Sequence, residues 1–539
     1  MISQNPQGDF RLHHTISRNV GASMLSKAYY LVTRLIIPPL VLSFVTLEEY
    51  GIWSICFILL SILGMSVFGV TNVYVRYCAV WDAKGDQEKI NQLLSTGIIA
   101  NFLVCLALLP LVVWGIPKLY PIFQIETSLQ PTAYNMILGT TLIFMVHLSF
   151  GVFGYLLQSV QKIAIERAIM MVSWTFETLA IIAFLYNGFG IYSLLYAYVI
   201  NVLILILVGS VVCYRKVPGL RLSWRLFNSA MLKKFLSFGS IVQITGFCAT
   251  INRSFERIFS GMFLGIQATG LYEIGLKLPR MSTIIPESIT TVLLPTSSHL
   301  FAQKRNEKMA QIYFQGSRYL NMLTGLGMGF FAAFSSYIIA AWIGPDTKFQ
   351  SAATIMAWFT IALQMNLLTG PASAIFRSIK KPSRELLYGG VQLLLFAFAA
   401  YPILSLTTPD IASINTVIIL ITVITAAAYL IYFNTYFQID HWRYFTRVLI
   451  PGFIPYMIGF GIEVLIDDWL DEVAGQRWET LFILFIAFMI YSVIAPSILL
   501  FFFCPKFERE QIWAHLRDTI KDLIFRKAPN HPEESGNNS

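Results

Sequence analysis

Charge is scarce in this sequence: Asp, Glu, Lys and Arg make up 12% of its 539 residues, against 56% hydrophobic residues and a mean hydropathy of +0.65. A water-soluble globule cannot bury that much apolar surface, so the bilayer is the expected solvent. Cysteine is sparse too. The six present (Cys56, Cys78, Cys105, Cys213, Cys248, Cys504) form no CxxC spacing and lie at or within apolar runs, which excludes a disulfide framework and a cysteine metal site. There is no GxxxxGK[ST] loop, no HExxH, no GxSxG and no Cys/His cluster, so the chain has no motif for P-loop hydrolysis, zinc proteolysis or nucleophile-elbow chemistry. No catalytic residue, cofactor or metal is expected. No cleavable leader is expected either: the first apolar run follows a polar segment and is too long, so it is expected to stay in the membrane.

What remains is a succession of apolar stretches of about 20 residues, each long enough to cross a hydrocarbon core of about 30 Å. They fall at 20–45, 50–75, 93–116, 133–158, 168–187, 190–213, 235–266, 270–297, 317–343, 350–375, 387–406, 414–437, 448–466 and 478–504. Their apolar residues run on without alternating, which predicts helices rather than barrel strands. The expectation is an all-α polytopic membrane protein of about fourteen spans. The longest outer loops, 116–132 and 467–477, leave little room for an extracytoplasmic catalytic domain.

Lys and Arg sort to one side. One set of loops carries almost all of them, including Arg76, Lys84, Arg167, Arg215, Lys216, Lys304, Arg305, Lys380, Lys381 and Arg443; the other set holds Lys118, Lys348 and Arg477. By the positive-inside rule both termini are expected in the cytoplasm. The net charge of +9 is then a topology signal, with attraction to anionic headgroups, and not a nucleic-acid footprint. Beyond the last span, apolar Phe507, Trp513, Leu516, Ile520 and Leu523 alternate with Lys506, Arg509, Arg517 and Lys521 at helical spacing, which predicts an interfacial helix over 505–527 and a disordered tail over 528–539.

The sequence contains a repeat. LVLSFVTLEEYGIW from Leu40 lies over MFLGIQATGLYEIG from Met262, pairing Tyr50 with Tyr272 at an offset of about 220 residues, and WDAKGDQEKI from Trp81 lies over FAQKRNEKMA from Phe301. Two pseudo-symmetric six-helix lobes follow, 20–213 and 235–437, with a cytoplasmic N-terminus at 1–19, a cytoplasmic linker at 214–234 and two further helices within 438–504.

Ionisable residues deep in the spans are the most informative feature, because each is costly in lipid unless paired or wet. Helix 1 carries Lys27 and Arg34; helix 7 carries Arg253, Glu256 and Arg257; helix 8 carries Glu273, Lys277, Arg280 and Glu287. The i, i+3 and i+4 spacings keep each group on one helical face. With a turn near Gln267, Arg257 and Lys277 lie about 15 Å deep, near the midplane. One reading makes these groups structural ion pairs that staple two helices. The other makes them the lining of a hydrated chamber whose six basic residues outnumber three acidic ones and so attract an anion, with pyrophosphate as the natural match for Arg. His147, Glu177 and Glu463 read as interface or packing residues, with proton relay as the alternative, and Pro38, Pro39 and Pro286 as bending points.

The stretch RIFSGMFLGIQATGLYEIGLKLPRM from Arg257, with VLLPTSSHLFAQKRNEKM from Val292, resembles the helix 7 to 8 region of the bacterial lipid-linked oligosaccharide flippases of the multidrug, oligosaccharidyl-lipid and polysaccharide exporter superfamily; the turn at Glu49, Tyr50 and Gly51 is similar to that family's opening. The resemblance implies a monomeric flippase of a bacterial inner membrane that carries an anionic lipid-diphosphate-linked oligosaccharide outward by alternating access for surface polysaccharide biosynthesis. Its expected partners are that lipid-linked glycan, membrane lipids and polysaccharide-assembly proteins, without nucleic acid. The substrate-binding candidates are Lys27, Arg34, Arg253, Arg257, Lys277 and Arg280, and the ion-coupling candidates are Glu256, Glu273 and Glu287. A cation-coupled multidrug exporter and a membrane glycan polymerase or ligase are the alternatives.

Overall fold

In the computed structural model the chain is described over residues 6–65, 70–237, 240–406, 408–472, 477–510 and 517, and these residues form helices without a strand. An N-terminal bundle comprises α1 (Pro6–Leu42), α2 (Leu47–Met65), α3 (Val70–Asp82), α4 (Gln87–Ile122), α5 (Gln130–Phe150), α6 (Val152–Ser159), α7 (Ile163–Tyr186) and α8 (Tyr192–Lys216). After a linker with the short α9 (Ser229–Ser237), a second bundle comprises α10 (Ser240–Asn252), α11 (Phe255–Leu264), α12 (Ile266–Ser282), α13 (Ile284–Ala302), α14 (Asn306–Ala333), α15 (Ser335–Trp342), α16 (Gln350–Leu368), α17 (Gly370–Ser378), α18 (Ser383–Leu395), α19 (Tyr401–Ser405) and α20 (Ile411–Tyr436). Then α21 (His441–Tyr444), α22 (Ile450–Glu472) and α23 (Arg477–Phe503) pack back on α14 and α15.

Among the described residues eleven helices are long and apolar enough to cross a membrane, and α14 with α15, bent by 73°, makes a twelfth. The expected spans missing from that number, 235–266 and 270–297, are the charged ones, and each is broken midway: α10 gives way to α11 at Arg253 and Ser254, and α12 to α13 at Thr283. An unbroken helix was expected over 235–266, whereas the break at Thr283 lies beside Pro286, the bending point expected in 270–297. Irregular backbone at membrane depth is tolerated where it lines a cavity. Elsewhere helices outrun the apolar runs: α1 is helical from Pro6, inside the segment expected as a polar N-terminus, and α4 continues to Ile122, so the expected outer loop 116–132 shrinks. The interfacial helix expected over 505–527 is described only at 505–510 and 517, and the tail 528–539 lies outside the described residues.

Among the described residues the packing gives the two bundles one shared core, the others being private to one bundle. The shared core joins Ile37, Val41 and Tyr50 to Ile266, Leu271 and Tyr272, at the end of the molecule poor in Lys and Arg. At the opposite end the N-terminal bundle packs Tyr74, Trp81, Leu93 and Phe153 by itself, and the C-terminal bundle packs Tyr313, Ile375, Phe433 and Tyr444 by itself. The seam is tight where the repeated hairpins meet. A Cβ on Gly51 would fall 2.2 Å from the Ile266 carbonyl oxygen, and one on Gly270 would fall 2.9 Å from that of Leu47. Both positions therefore require glycine.

The linker belongs to the N-terminal bundle. Asn91 of α4 donates to the Gly219 carbonyl (2.8 Å) and accepts from the Arg221 amide (3.1 Å), Ser95 accepts from the Ser223 amide (3.2 Å) and Thr96 accepts from the Asn228 amide (2.9 Å). Lys234 lies over the rings of Trp81 and Tyr77, 4.5 and 4.9 Å from their centroids. These bonds strap the connection to one face of α4.

Candidate functional site

The charged residues gather around the breaks in the second bundle. The turn between α11 and α12 falls at Gly265, whose φ of +86° suits glycine, two residues before the expected position. Counting from it, Arg257 lies about 12 Å and Lys277 about 18 Å along their helices. Across this hairpin Arg257 Nη1 donates to Glu273 Oε2 (2.8 Å), and Lys277 Nζ donates to Glu273 Oε1 (3.2 Å). One carboxylate is thus shared by two cations. The rest of the Arg257 fork is underused: Nη2 reaches Ser254 Oγ at 3.3 Å, and Nε, 3.9 Å from Glu256, is a buried donor with no acceptor in hydrogen-bond range among the described residues. Glu273 is also within electrostatic range of Tyr50, so this group stands at the seam with α2.

A second group lies one turn along. Glu256, buried at the start of α11, is paired with Arg280, which also donates to the Arg253 carbonyl (2.9 Å) and so caps the broken end of α10. The side chains of Arg253 and Glu287 are exposed and meet no opposite charge among the described residues; Glu287 accepts from Thr283 Oγ1 at 3.2 Å. Both line a cavity of about 780 Å³ that lies wholly within the C-terminal bundle, among α10 to α13, α16 to α18 and α20. Its other ionic lining is settled, since Arg377 forks onto Glu385 with both bonds at 2.8 Å.

The candidates on helix 1 do not join this cavity. Arg34 forks onto Glu177 of α7 at 2.7 and 3.2 Å, and Asn201 of α8 donates to the same carboxylate at 2.9 Å. Glu177, read from the sequence as a packing or relay residue, is therefore the counter-ion of Arg34, and the basic excess is one smaller than the expected six against three. The i, i+3 and i+4 pattern finds partners on one helix, whereas this pair joins residues 143 positions apart. Lys27 is exposed near Asn19, Ser23 and Gln161 at the Lys/Arg-rich end, with no carboxylate against it among the described residues.

Sequence reasoning missed the uncharged lining. Asn252, Asn366, Tyr388, Gln392, Thr369 and Thr422 face the C-terminal cavity. Asn252 Nδ2 donates to the Gly389 carbonyl (3.0 Å) and to Gln392 Oε1 (3.1 Å), which fixes the amide and leaves Oδ1 buried without a donor among the described residues. Amides and hydroxyls scattered over four helices have no spacing by which a sequence could single them out. Among the described residues no group of His, Cys, Asp or Glu is placed to hold a metal ion, and the cysteines are free and buried.

A family model described as polysaccharide biosynthesis protein matches residues 41–348, more than half of the chain. No curated protein matches it. Among solved structures, the inward-facing conformation of a multidrug resistance MATE family transporter of the MOP superfamily superposes with a TM-score of 0.62 at 14% identity, covering 79% of this chain and 98% of that one. The lipid II flippase MurJ in an inward closed conformation gives a TM-score of 0.62 at 15% identity, covering 89% and 98%. An outward-facing conformation of a MATE family transporter gives 0.55 at 13% identity, covering 80% and 95%. With two helical bundles, broken charged helices and a transporter fold shared with these structures, the chain is a multi-pass membrane protein that belongs to the polysaccharide biosynthesis protein family.

Proposed function

We propose that this protein is a flippase that moves a lipid-diphosphate-linked oligosaccharide from the cytoplasmic to the outer face of a bacterial inner membrane, through about fourteen spans with both termini in the cytoplasm. The observation that carries the reading is the shared carboxylate at the seam: Arg257 and Lys277 hold one Glu273 between them, and Arg257 keeps a buried N–H without an acceptor. Such a site has spare positive charge and spare donors, which a diphosphate, rich in acceptor oxygens, would satisfy. Arg34 in the other bundle, paired with Glu177, Lys27 nearer the cytoplasm, and Arg253 and Arg280 beside the cavity are the further basic groups of the path. The lipid tail stays in the bilayer.

With the Lys/Arg-rich end in the cytoplasm, the shared core closes the outer end, and the separate cores leave the bundles free to part at the inner end. This is a state ready to receive cargo made inside the cell. Alternating access then means breaking the shared core and forming inner contacts. Since no nucleotide motif is present, the membrane potential, a coupled ion or consumption of the product supplies the drive. Glu256 and Glu273 would have to surrender bonds to Arg280, Arg257 and Lys277 before taking a coupling cation, whereas Glu287 has no ion pair to surrender among the described residues, and only a hydroxyl bond from Thr283.

The test is Arg257→Gln with Lys277→Gln in the native host. Loss of surface polysaccharide, with lipid-linked glycan accumulating on the cytoplasmic face at normal protein level, is expected. Undiminished export removes the proposal. Outward-facing unpolymerised intermediates would indicate a polymerase or ligase, and new sensitivity to cationic drugs a multidrug exporter.

A further inference from the structure

The seam and the cavity ask for opposite kinds of ligand. At the seam, donors are in excess. In the cavity two of the three cations are already committed, Arg280 to Glu256 and the Arg253 carbonyl and Arg377 to Glu385, and what remains without a counter-charge or a donor among the described residues is mixed: one guanidinium, Arg253; one carboxylate, Glu287, held only by the Thr283 hydroxyl; and one buried carbonyl oxygen, Asn252 Oδ1. A phosphate has almost only acceptors at neutral pH, so it would leave Asn252 Oδ1 unsatisfied and meet repulsion from Glu287. A ligand that both donates and accepts, and that is uncharged overall, fits all three. The flanking surface agrees: the aromatic side chains of Tyr388 and Phe359 line the cavity together with the amides of Asn366 and Gln392, which suits a molecule with apolar C–H faces and a rim of hydroxyls. At about 780 Å³ the volume is that of a pocket for a small oligosaccharide rather than for a single ion.

We infer that the cavity inside the C-terminal bundle is a glycan subsite, in which uncharged sugar rings of the cargo are held by Arg253, Glu287 and Asn252 while the diphosphate stays outside it on Arg257 and Lys277. This rests on the flippase reading and adds to it: the cargo's headgroup enters one bundle and does not sit symmetrically between the two. The bundle that carries the sugar is then the one whose helices are broken, and the sugar rings nearest the diphosphate are those the protein reads.

Cys248 reports on the cavity because it lines it. In a full-length variant retaining Cys248 as its only cysteine, purified in detergent, the rate of labelling by a small water-soluble thiol reagent is measured with two probes, a polyprenyl diphosphate bearing a neutral disaccharide and the same polyprenyl diphosphate without sugar. Thermal stabilisation by each probe is measured in parallel. Both probes should stabilise the protein, and the sugar-bearing probe alone should slow labelling severalfold. Asn252→Leu should abolish that protection and keep the stabilisation by the sugar-free probe, which also shows that the variant is folded. Equal protection by both probes, protection by sodium ions alone, or stabilisation by both probes without protection by either would overturn the subsite and leave the flippase reading in place. If neither probe stabilises the protein, the flippase reading falls and the subsite with it.

Discussion

The indole N–H of Trp342, at the end of α15, donates across the seam at 2.8 Å to the carbonyl oxygen of Leu35 in α1. That carbonyl is available because of Pro39: in an uninterrupted helix it would accept from the amide four residues on, and proline has none. A proline that reads from sequence as a bending point thus serves as an inter-bundle contact. Arg477 in turn caps α15, donating to the carbonyls of Ala341 (2.8 Å) and Trp342 (2.6 Å), which employs one of the few cations of the Lys/Arg-poor end.

Trp342→Phe keeps the ring and removes the donor. Losing this bond should weaken the closed seam by about 1 kcal/mol, roughly a fivefold shift toward the state in which the outer end parts. Spin labels at Glu88 and Lys304, exposed at the Lys/Arg-rich ends of opposite bundles, should report a larger population of the short distance.

Gly51→Val acts at the same seam by sterics. With the Ile266 carbonyl oxygen 2.2 Å from the position of a new Cβ, the hairpins must separate, at a cost of about 2 kcal/mol in the closed form. The same label pair should shift further than for Trp342→Phe, while Gly21→Ala, where a Cβ meets nothing, should leave it unchanged.

Removing the Arg34 counter-ion leaves a poorly solvated guanidinium alone. Glu177→Gln should lower stability by about 3 kcal/mol, read as a large fall in melting temperature in detergent. Exchanging the pair, Arg34→Glu with Glu177→Arg, should recover much of the melting temperature. If transport also recovers, Arg34 is structural; if stability returns without transport, its position in α1 matters to the cargo.

The linker strap gives a proteolytic readout. Asn91→Ala removes two bonds, to Gly219 and from Arg221, worth about 2 kcal/mol together. Trypsin cleavage after Arg221 and Arg225 should then rise by about tenfold or more, since cleavage follows the open population. Unchanged cleavage would mean that the remaining bonds to Ser95 and Thr96 hold the strap alone.

How far the fold was legible varied with the kind of interaction. The apolar runs that become α4, α8 and α20 are unmistakable, because lipid-facing helices are hydrophobic all round. The repeat at Tyr50 and Tyr272 anticipated two hairpins, which prove to pack on one another at Gly51 and Gly270. The charged spans were legible as charged, but only the second, through Pro286, was legible as bent. The break at Arg253 and Ser254 carries neither proline nor glycine, whereas the break at Thr283 falls just before Pro286, whose missing N–H leaves the Ser282 carbonyl without its helical donor; the cavity beside both makes irregular backbone tolerable. Pairing was read only along a helix, as for Glu273 and Lys277. The partners Arg34 with Glu177 and Arg280 with Glu256 come from tertiary packing, which no local spacing encodes, and Asn252 has no charge to draw attention to it.

The most direct measurement is transbilayer movement itself. Proteoliposomes containing a polyprenyl-diphosphate disaccharide are followed by the appearance of sugar on the opposite leaflet, for the wild type and for Arg257→Gln with Lys277→Gln at equal protein content. Flippase activity through the seam predicts rapid appearance for the wild type and a rate lower by about 100-fold for the variant, two charge-assisted contacts of about 1.5 kcal/mol each being lost. No movement by the wild type, or equal rates for the two proteins, would contradict it.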